Sequence, residues 1–489
     1  MTDKVSLAKL STGIPGLDVL LGGGLTEYSF ALIAGAPGSG KTTLAHQIMF
    51  ALANPERKAL FFTVLGEPPL KMLRYQQQFG FFDIAKVGPS IRYVNLADDL
   101  RNGDFNGVLE RIMAEVEDFA PSLVFVDSFR SVVQTGRGGS AGMADLQFFV
   151  QELGSRMATW QATTFLIGEY TQADVEANPI ITVADGMLAL SQAHEGNSVV
   201  RKIRIVKMRG QAHMEGSHTM RITDDGIRIY PRMLPPLAED RRPGVAVDRD
   251  PRRVSTGVPG LDALMHGGLP QGHTLLVSGP TGIGKTILCT RFLAAGAAAG
   301  EKGVAVYFEK GSARLRNAEL AELVQAGHVA IVESRSLSLS VEELLDELTT
   351  AIERTGATRV VIDSLSEIGL YLAPEFRDEF RITIFRTLVE LAKRGVTAIV
   401  TVGMTDEFTR LSFGYDGLAF LTDAVVAMRY GEMAGSLRQF MTVVKVRGCD
   451  HSRDLREFTI NERGIEVEGK ATTVEGVLDG GVSRRAGGN

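Results

Sequence analysis

Two cysteines and one tryptophan occur among 489 residues, and each scarcity excludes something. Cys289 and Cys449 cannot build a disulfide framework, and no CxxC or Cys/His cluster offers a metal site. Cys289 lies in an apolar helical run, where a thiol behaves as a small core residue. No apolar stretch of about 18 residues or more occurs, so no helix is expected to span a membrane. The opening MTDKVSLAKLSTGIPG lacks the apolar centre of a secretory signal, which points to the cytoplasm. Charge of one sign is scarce as well. Lys and Arg number 52 against 58 Asp and Glu, a net charge of −6. That balance is wrong for a protein whose affinity rests on neutralising phosphates along a nucleic acid. Neither nucleic acid nor a membrane is therefore an expected partner. The 44% hydrophobic and 22% charged fractions are those of a globular protein. At about 150 residues per domain, the length suggests three domains or two large ones.

Glycine is plentiful, at 54 residues, and its placement reveals a duplication. Ser11 to Leu25 reads STGIPGLDVLLGGGL, and Ser255 to Leu269 reads STGVPGLDALMHGGL, with eleven of fifteen positions identical. A glycine loop follows at Gly35 and again at Gly279. An apolar strand ending in Asp follows at Asp127 and Asp363, and a basic KxRG at Lys207 and Lys445. Two long copies mean duplicated domains, each able to hold its own core. The expected division is a first domain over 1–234, a linker over 235–253, a second domain over 254–468 and a flexible tail over 469–489. The linker, PPLAEDRRPGVAVDRDPRR, mixes prolines with charges of both signs and has little apolar periodicity.

Within the first copy, strand-like runs at Ser29–Ala34, Leu60–Val64, Leu123–Asp127 and Thr163–Gly168 alternate with helical patterns. Those patterns fall at Thr42–Ala53, Pro68–Gly80 and Leu146–Thr159. The alternation predicts βαβ units, hence an α/β fold whose mostly parallel sheet is flanked by helices. Gly186–Ser191, Ser198–Met208, Thr219–Thr223 and Ile227–Tyr230 follow without helices between them and predict antiparallel strands at one edge. The second copy follows the same plan.

Both glycine loops fit GxxxxGK[ST]. The first supplies Gly35, Pro37, Gly38, Ser39, Gly40, Lys41, Thr42 and Thr43 as binding residues. The second supplies Gly279, Thr281, Gly282, Ile283, Gly284, Lys285, Thr286 and Ile287. Glycines let consecutive backbone N–H groups turn inward around an anion, and the helix that follows adds its positive dipole end. Lys41 and Lys285 would reach the β- and γ-phosphates of a nucleotide, and Thr42 and Thr286 would ligate Mg²⁺. Each loop follows an apolar strand and opens a helix, the context this chemistry requires. Asp127 and Asp363 each end an apolar strand and would hold the same Mg²⁺ through a water. His213 and His218 have no carboxylate or cysteine frame and read as edge-strand residues. Trp160 falls at a predicted helix end.

With these motifs in this order the sequence resembles the KaiC family, circadian-clock ATPases of the RecA superfamily. The resemblance covers roughly residues 5–468. It includes STGxPGLD before each loop, both loops, both aspartate-ended strands, both KxRG elements, and the closing MEGSHTMRITDDGIRIYP and LREFTINERGIEV. It implies two tandem RecA-like P-loop NTPase domains, ATP with Mg²⁺, and a homo-hexameric double ring with ATP between neighbouring subunits. Lys207 and Arg209, with Lys445 and Arg447, would then reach the γ-phosphate held by the adjacent subunit. It implies ATP hydrolysis that switches the ring and is read by a signalling partner whose identity the sequence does not reveal. Two readings stand beside it: a Ser/Thr kinase acting on itself or a partner, and a DNA-stimulated RecA-like ATPase.

The chain departs from the family in two places. The family carries adjacent glutamates after its second strand, to activate the attacking water. Here the first copy has Gly66-Glu67 and the second Glu309-Lys310. Glu309, at the first position of its pair, is the better candidate base and a candidate metal ligand, and Glu67 the weaker base. The first copy is accordingly expected to bind ATP tightly and hydrolyse it slowly. The family's clock proteins also phosphorylate an adjacent Ser-Thr pair in the second domain. Ala419 and Phe420 stand there, so no such cycle is expected at these positions. Structural roles are expected for the nearby hydroxyls of Ser412 and Thr422.

Overall fold

The computed structural model describes residues 8–63, 69–97, 99, 105–127, 140–170, 183–195, 198–232, 252–307, 317–333, 341–366, 374–403, 421–433, 435–471, 474–475 and 483–484. The chain divides into two compact units, Met1–Arg232 and Met233–Asn489.

The first unit begins with β1 (Lys9–Leu10), α1 (Leu17–Leu20) and β2 (Leu25–Thr26), followed by β3 (Phe30–Gly35) and α2 (Lys41–Leu52). Next come β4 (Ala59–Thr63), α3 (Pro69–Gln76), β5 (Ile91–Asn95), α4 (Phe105–Phe119), β6 (Leu123–Asp127), α5 (Ser140–Thr159) and β7 (Thr163–Glu169). Four strands close the unit: β8 (Gly186–Glu195), β9 (Ser198–Met208), β10 (Ser217–Thr223) and β11 (Gly226–Tyr230). Nine described strands form one sheet in the order β11-β10-β9-β8-β3-β7-β6-β4-β5. The ladders from β5 to β8 are parallel, and β9, β10 and β11 add antiparallel beyond β8. A parallel strand must be covered on both faces. Residues 30–35 and 59–63 are accordingly buried without alternation. Ile33, Phe61 and Phe125 pack on one face with Leu44 and Ile48 of α2. Leu32, Phe62 and Val124 pack on the other, with Ile112 of α4 and Leu153 of α5.

The second unit repeats this plan with β12 (Arg253–Val254), α6 (Pro259–Leu264), β13 (Leu269–Pro270), β14 (Thr274–Gly279), α7 (Lys285–Ala298) and β15 (Gly303–Tyr307). It continues with α8 (Ala318–Gln325), β16 (Val329–Glu333), α9 (Val341–Thr355), β17 (Arg359–Asp363), α10 (Pro374–Lys393) and β18 (Thr397–Gly403). The edge strands are β19 (Ala424–Met433), β20 (Ser436–Val446), β21 (Arg456–Asn461) and β22 (Gly464–Lys470). The order β16-β15-β17-β18-β14-β19-β20-β21-β22 is that of the first sheet read from its other edge.

The α/β fold of tandem, mostly parallel sheets with antiparallel edges is the one the sequence predicts. That reading omits the short β1, α1 and β2, and two longer first-unit elements, β5 and α4. β5 is an edge strand, and IRYVN carries only two residues with buried side chains, Ile91 and Val94. Helix α4 did carry a signal: Val108, Leu109, Ile112, Val116 and Phe119 recur at helical spacing and are buried. Within 469–489, read as a flexible tail, β22 extends to Lys470, and β23 (Val474–Glu475) pairs with β24 (Ser483–Arg484).

The repeated STGxPGLD segment has a structural explanation. Asp18 accepts from the Thr12 backbone N–H at 2.8 Å, from Thr12 Oγ1 at 2.6 Å and from Ser11 Oγ at 2.6 Å. Asp262 does the same with Thr256 and Ser255, at 2.8, 2.6 and 2.6 Å. Gly16 has φ 84°, and a Cβ there would stand 1.9 Å from the Ile229 carbonyl oxygen, so no larger residue fits. The segment thus ties α1 to the last strand of its sheet. Asp18→Ala would leave the wholly buried Thr12 without its partner. The expected cost is about 2 kcal/mol. Thermal denaturation should show it as a fall of about 4–8 °C in the first unit's midpoint, as expected for a unit of this size.

Candidate functional site

Each phosphate loop sits at the C-terminal end of the strand at the centre of its sheet. In the first, β3 ends at Gly35, the Ser39 N–H turns back onto the Ala36 carbonyl at 3.2 Å, and α2 opens at Lys41. In the second, the Ile283 N–H turns onto Pro280 at 3.4 Å and α7 opens at Lys285. The residue before each helix is a glycine in the left-handed region, Gly40 at φ 100° and Gly284 at φ 107°. Neither helix start has a side-chain cap, so its first backbone N–H groups face the loop, the geometry that receives an anion. Gly40 is held against Ile222, and Gly284 against Ile460, by atoms that a Cβ would meet at 2.9 and 2.6 Å. Ser39 and Ile283 turn inward and are buried, while Pro37, Gly38, Thr281 and Gly282 form the exposed lip.

The hydroxyls and carboxylates assigned from sequence come together. Thr42 Oγ1 donates to Asp127 Oδ2 at 2.7 Å, and Thr286 Oγ1 donates to Asp363 Oδ2 at 2.6 Å. Thr401 Oγ1 donates to the other Asp363 oxygen. A hydroxyl beside a carboxylate, at the foot of a helix N-terminus, is the oxygen donor set that suits Mg²⁺ next to a phosphate. Lys41 Nζ folds back to donate to the Ala36 carbonyl at 2.9 Å, and Lys285 Nζ to Gly279 at 2.8 Å and Pro280 at 2.9 Å. Burial lowers the pKa of the Lys41 ammonium, against the opposing pull of the Glu169 and Asp127 carboxylates. Around the first loop lies a cavity of about 340 Å³ lined by Lys41, Thr42, Thr43, Tyr75, Asp127 and Glu169, among others.

The two KxRG elements lie elsewhere. Met208, at the end of β9, pairs with Gly186, which pairs with Ala31 of β3. Arg209 therefore stands level with the start of β3, four to five residues from Gly35. At about 3.3 Å per residue that is roughly 13–17 Å along the strands, away from the phosphate loop. Arg447 occupies the same place, since Val446 pairs with Ala424 and Ala424 with Leu275. Asp185 accepts from the Phe30 N–H at 3.0 Å and from Arg209 at 3.3 Å. Asp423 accepts from Thr274 at 3.0 Å and pairs with Arg447 at 3.7 Å. The ammonium pKa values of Lys207 and Lys445 are lowered by burial first and by the neighbouring Arg209 and Arg447 second. Two crowded cations favour an anion between them.

Glu67, Glu309, Lys310, Ser412, Ala419 and Phe420 lie outside the described residues. Ile287, on the first turn of α7, is half-buried, and Thr422 is buried. His218 is buried in β10, where its Nδ1 accepts from the Arg232 N–H at 2.8 Å. Trp160 follows α5 in a turn, 41% exposed, and Cys289 is wholly buried. Sequence reading passed over Glu169, because a strand read as ending at Gly168 excluded it. It also passed over Asp185 and Asp423, which hold the arginines, and His46.

The sequence profile of a family described as KaiC ATPase matches residues 10–233 and 254–472. The chain is 28% identical to the circadian clock oscillator protein KaiC of Picosynechococcus sp., covering 98% of this chain and 93% of that protein. It is 28% identical to the protein of the same name from Parathermosynechococcus lividus, covering 98% and 88%. The same identity holds for that of Synechococcus elongatus, covering 98% and 92%.

One turn after Thr42, the His46 ring is wholly buried. Its Nδ1–H donates to the Thr42 carbonyl at 2.7 Å, and its ring centroid lies 4.4 Å from that of Phe61. Burial pushes its pKa down from 6.5 to about 4. The unfolded chain takes up this proton as pH falls below 6.5, and the folded chain only near 4, so stability present above 6.5 is lost between those values. The loss approaches about 3 kcal/mol. The second unit has Thr290 at this place, donating to Thr286 at 3.1 Å. Denaturant unfolding should therefore show the wild type losing more stability from pH 6.5 to 4 than His46→Thr does.

Proposed function

Because the chain belongs to the KaiC family of ATPases, we propose that it binds ATP between neighbouring copies of itself and hydrolyses it to switch a hexameric ring. A signalling protein reads the state of the ring, and the assembly works in the cytoplasm as two domains, 1–234 and 254–468, joined by a linker over 235–253. The observation that carries this reading is the distance, within each unit, between the phosphate loop and the KxRG element. By strand register Arg209 and Arg447 stand roughly 13–17 Å from their own loops, beyond the reach of a side chain to phosphates held there. Placed by a second copy, Lys207, Arg209, Lys445 and Arg447 supply cations at the γ-phosphate, where developing charge is greatest. The arginines, held by Asp185 and Asp423, are oriented before the nucleotide arrives, which spares reorganisation at the moment of reaction.

Thr42 with Asp127, and Thr286 with Asp363, would hold Mg²⁺, with Glu309 as a further ligand or as the base for the attacking water. The bound ion supplies neutralisation of the phosphate oxygens. Lys41 and Lys285 exchange their carbonyl partners for phosphate oxygens when the nucleotide enters. The loop N–H groups bind the phosphates without side chains, which explains glycine where a Cβ would collide.

Phosphate release by the full chain tests the assignment. Lys285→Ala should lower the steady-state rate by about tenfold or more, leaving the slow turnover of the first site. Lys41→Ala should lower it less and should weaken ATP-dependent assembly, read by light scattering. Single-stranded DNA should change neither rate. Stimulation by DNA would favour a nucleic-acid motor, and label passing from γ-labelled ATP into protein would favour a kinase.

A further inference from the structure

Glu169 ends β7 where the two halves of the first site meet. β7 lies between β3, which carries the phosphate loop, and β6, which carries Asp127. Glu169 stands in register beside Gly35, and Ile167 beside Asp127, so Glu169 projects one pleat beyond the level of the aspartate. Its side chain lines the same cavity as Lys41, Thr42 and Asp127. The equivalent position in the second unit, beside Gly279 at the end of β18, is Gly403. Packing does not require that glycine. A Cβ there would meet Ser366 at 3.5 Å, an ordinary contact. The first site thus has a carboxylate on its floor that the second site does not have at this position.

We propose that Glu169 is the base of the first site, accepting a hydrogen bond from the water that attacks the γ-phosphorus of ATP. The inference rests on the ATP-hydrolysing reading above. In the step, the water oxygen forms the new bond to phosphorus. The bond from the γ-phosphorus to the bridging oxygen breaks, and its electron pair leaves with ADP. The proton released by the water passes to the Glu169 carboxylate and then to solvent. The geometry suits the role because a group between loop and aspartate faces the terminal phosphate rather than the base or ribose. The competing explanation is that Glu169 only offsets the charge of buried Lys41. Lys285 is the less buried of the two lysines, so it would need such an offset less.

The two explanations differ in kinetics. In full-length Lys285→Ala protein, only the first loop is intact, and its slow turnover can be followed alone. Adding Glu169→Gln, which keeps the shape and removes the charge, should lower kcat by about 100-fold or more. KM should change by less than about twofold, and the thermal midpoint should not move. A Glu169→Gln protein that keeps the parent's kcat overturns the proposal. So does one that loses kcat only in step with a raised KM or a lowered midpoint, which is the behaviour of a simple counter-charge. A Lys285→Ala parent that binds ATP yet releases no phosphate overturns both this proposal and hydrolysis at the first site.

Discussion

The hydrogen bond from the first helical threonine to the strand-end aspartate, Thr42 to Asp127 and Thr286 to Asp363, is the contact on which each site depends. It joins the start of a helix to a strand two places away in the sheet, with β7 or β18 between. The bond forms only if three parallel strands keep their register, with Asp127 beside Ile167 and Glu169 beside Gly35 in the first unit. Slipping one strand by a residue would turn its apolar side chains around and carry the aspartate away from the hydroxyl. The hydrophobic sheet and the polar site are therefore one construction. The sheet places oxygen ligands within hydrogen-bonding distance, and the uncapped helix start supplies the field for an anion.

The duplicated units keep this construction and vary what surrounds it. The STGxPGLD clasp, the inward-turned loop residue and the aspartate-held arginine recur in both. His46 becomes Thr290, Ser39 becomes Ile283, and Glu169 becomes Gly403. Each change lies within or beside the phosphate loop or its helix, and none disturbs the frame. A duplicated frame with altered surroundings is the arrangement expected of two sites that bind the same ligand and treat it differently. The trans placement proposed for the KxRG arginines would add a second constraint. On that reading a site completed by another molecule would be silent until the copies assemble, and hydrolysis and assembly would be coupled by geometry.

Much of this was legible in the sequence because the relevant signals are local. GxxxxGK[ST] needs only eight residues, and a buried parallel strand announces itself as an unbroken apolar run. The duplication doubled every signal. What escaped reading depended on neighbours far away in the chain. Asp185 and Asp423 look like ordinary loop acids until Phe30 and Thr274 are placed beside them. Glu169 was hidden by a one-residue error at a strand end, where apolar patterning stops carrying information. Asp18 stands in the family signature, and its physical task, satisfying the buried Thr12, shows only in the fold. Strand β5 has too few buried positions to stand out, whereas α4 had the right periodicity and was passed over.

The central claim is that each nucleotide site is completed by a second copy of the chain. Mixing Lys285→Ala protein, which keeps Arg447 but not its own loop lysine, with Arg447→Ala protein, which keeps the loop but not the arginine, tests it most directly. Subunit exchange in the presence of ATP should restore phosphate release above the sum of the two separate proteins, because some interfaces then pair an intact loop with an intact arginine. A mixture that forms mixed assemblies and releases no more than that sum would contradict the account.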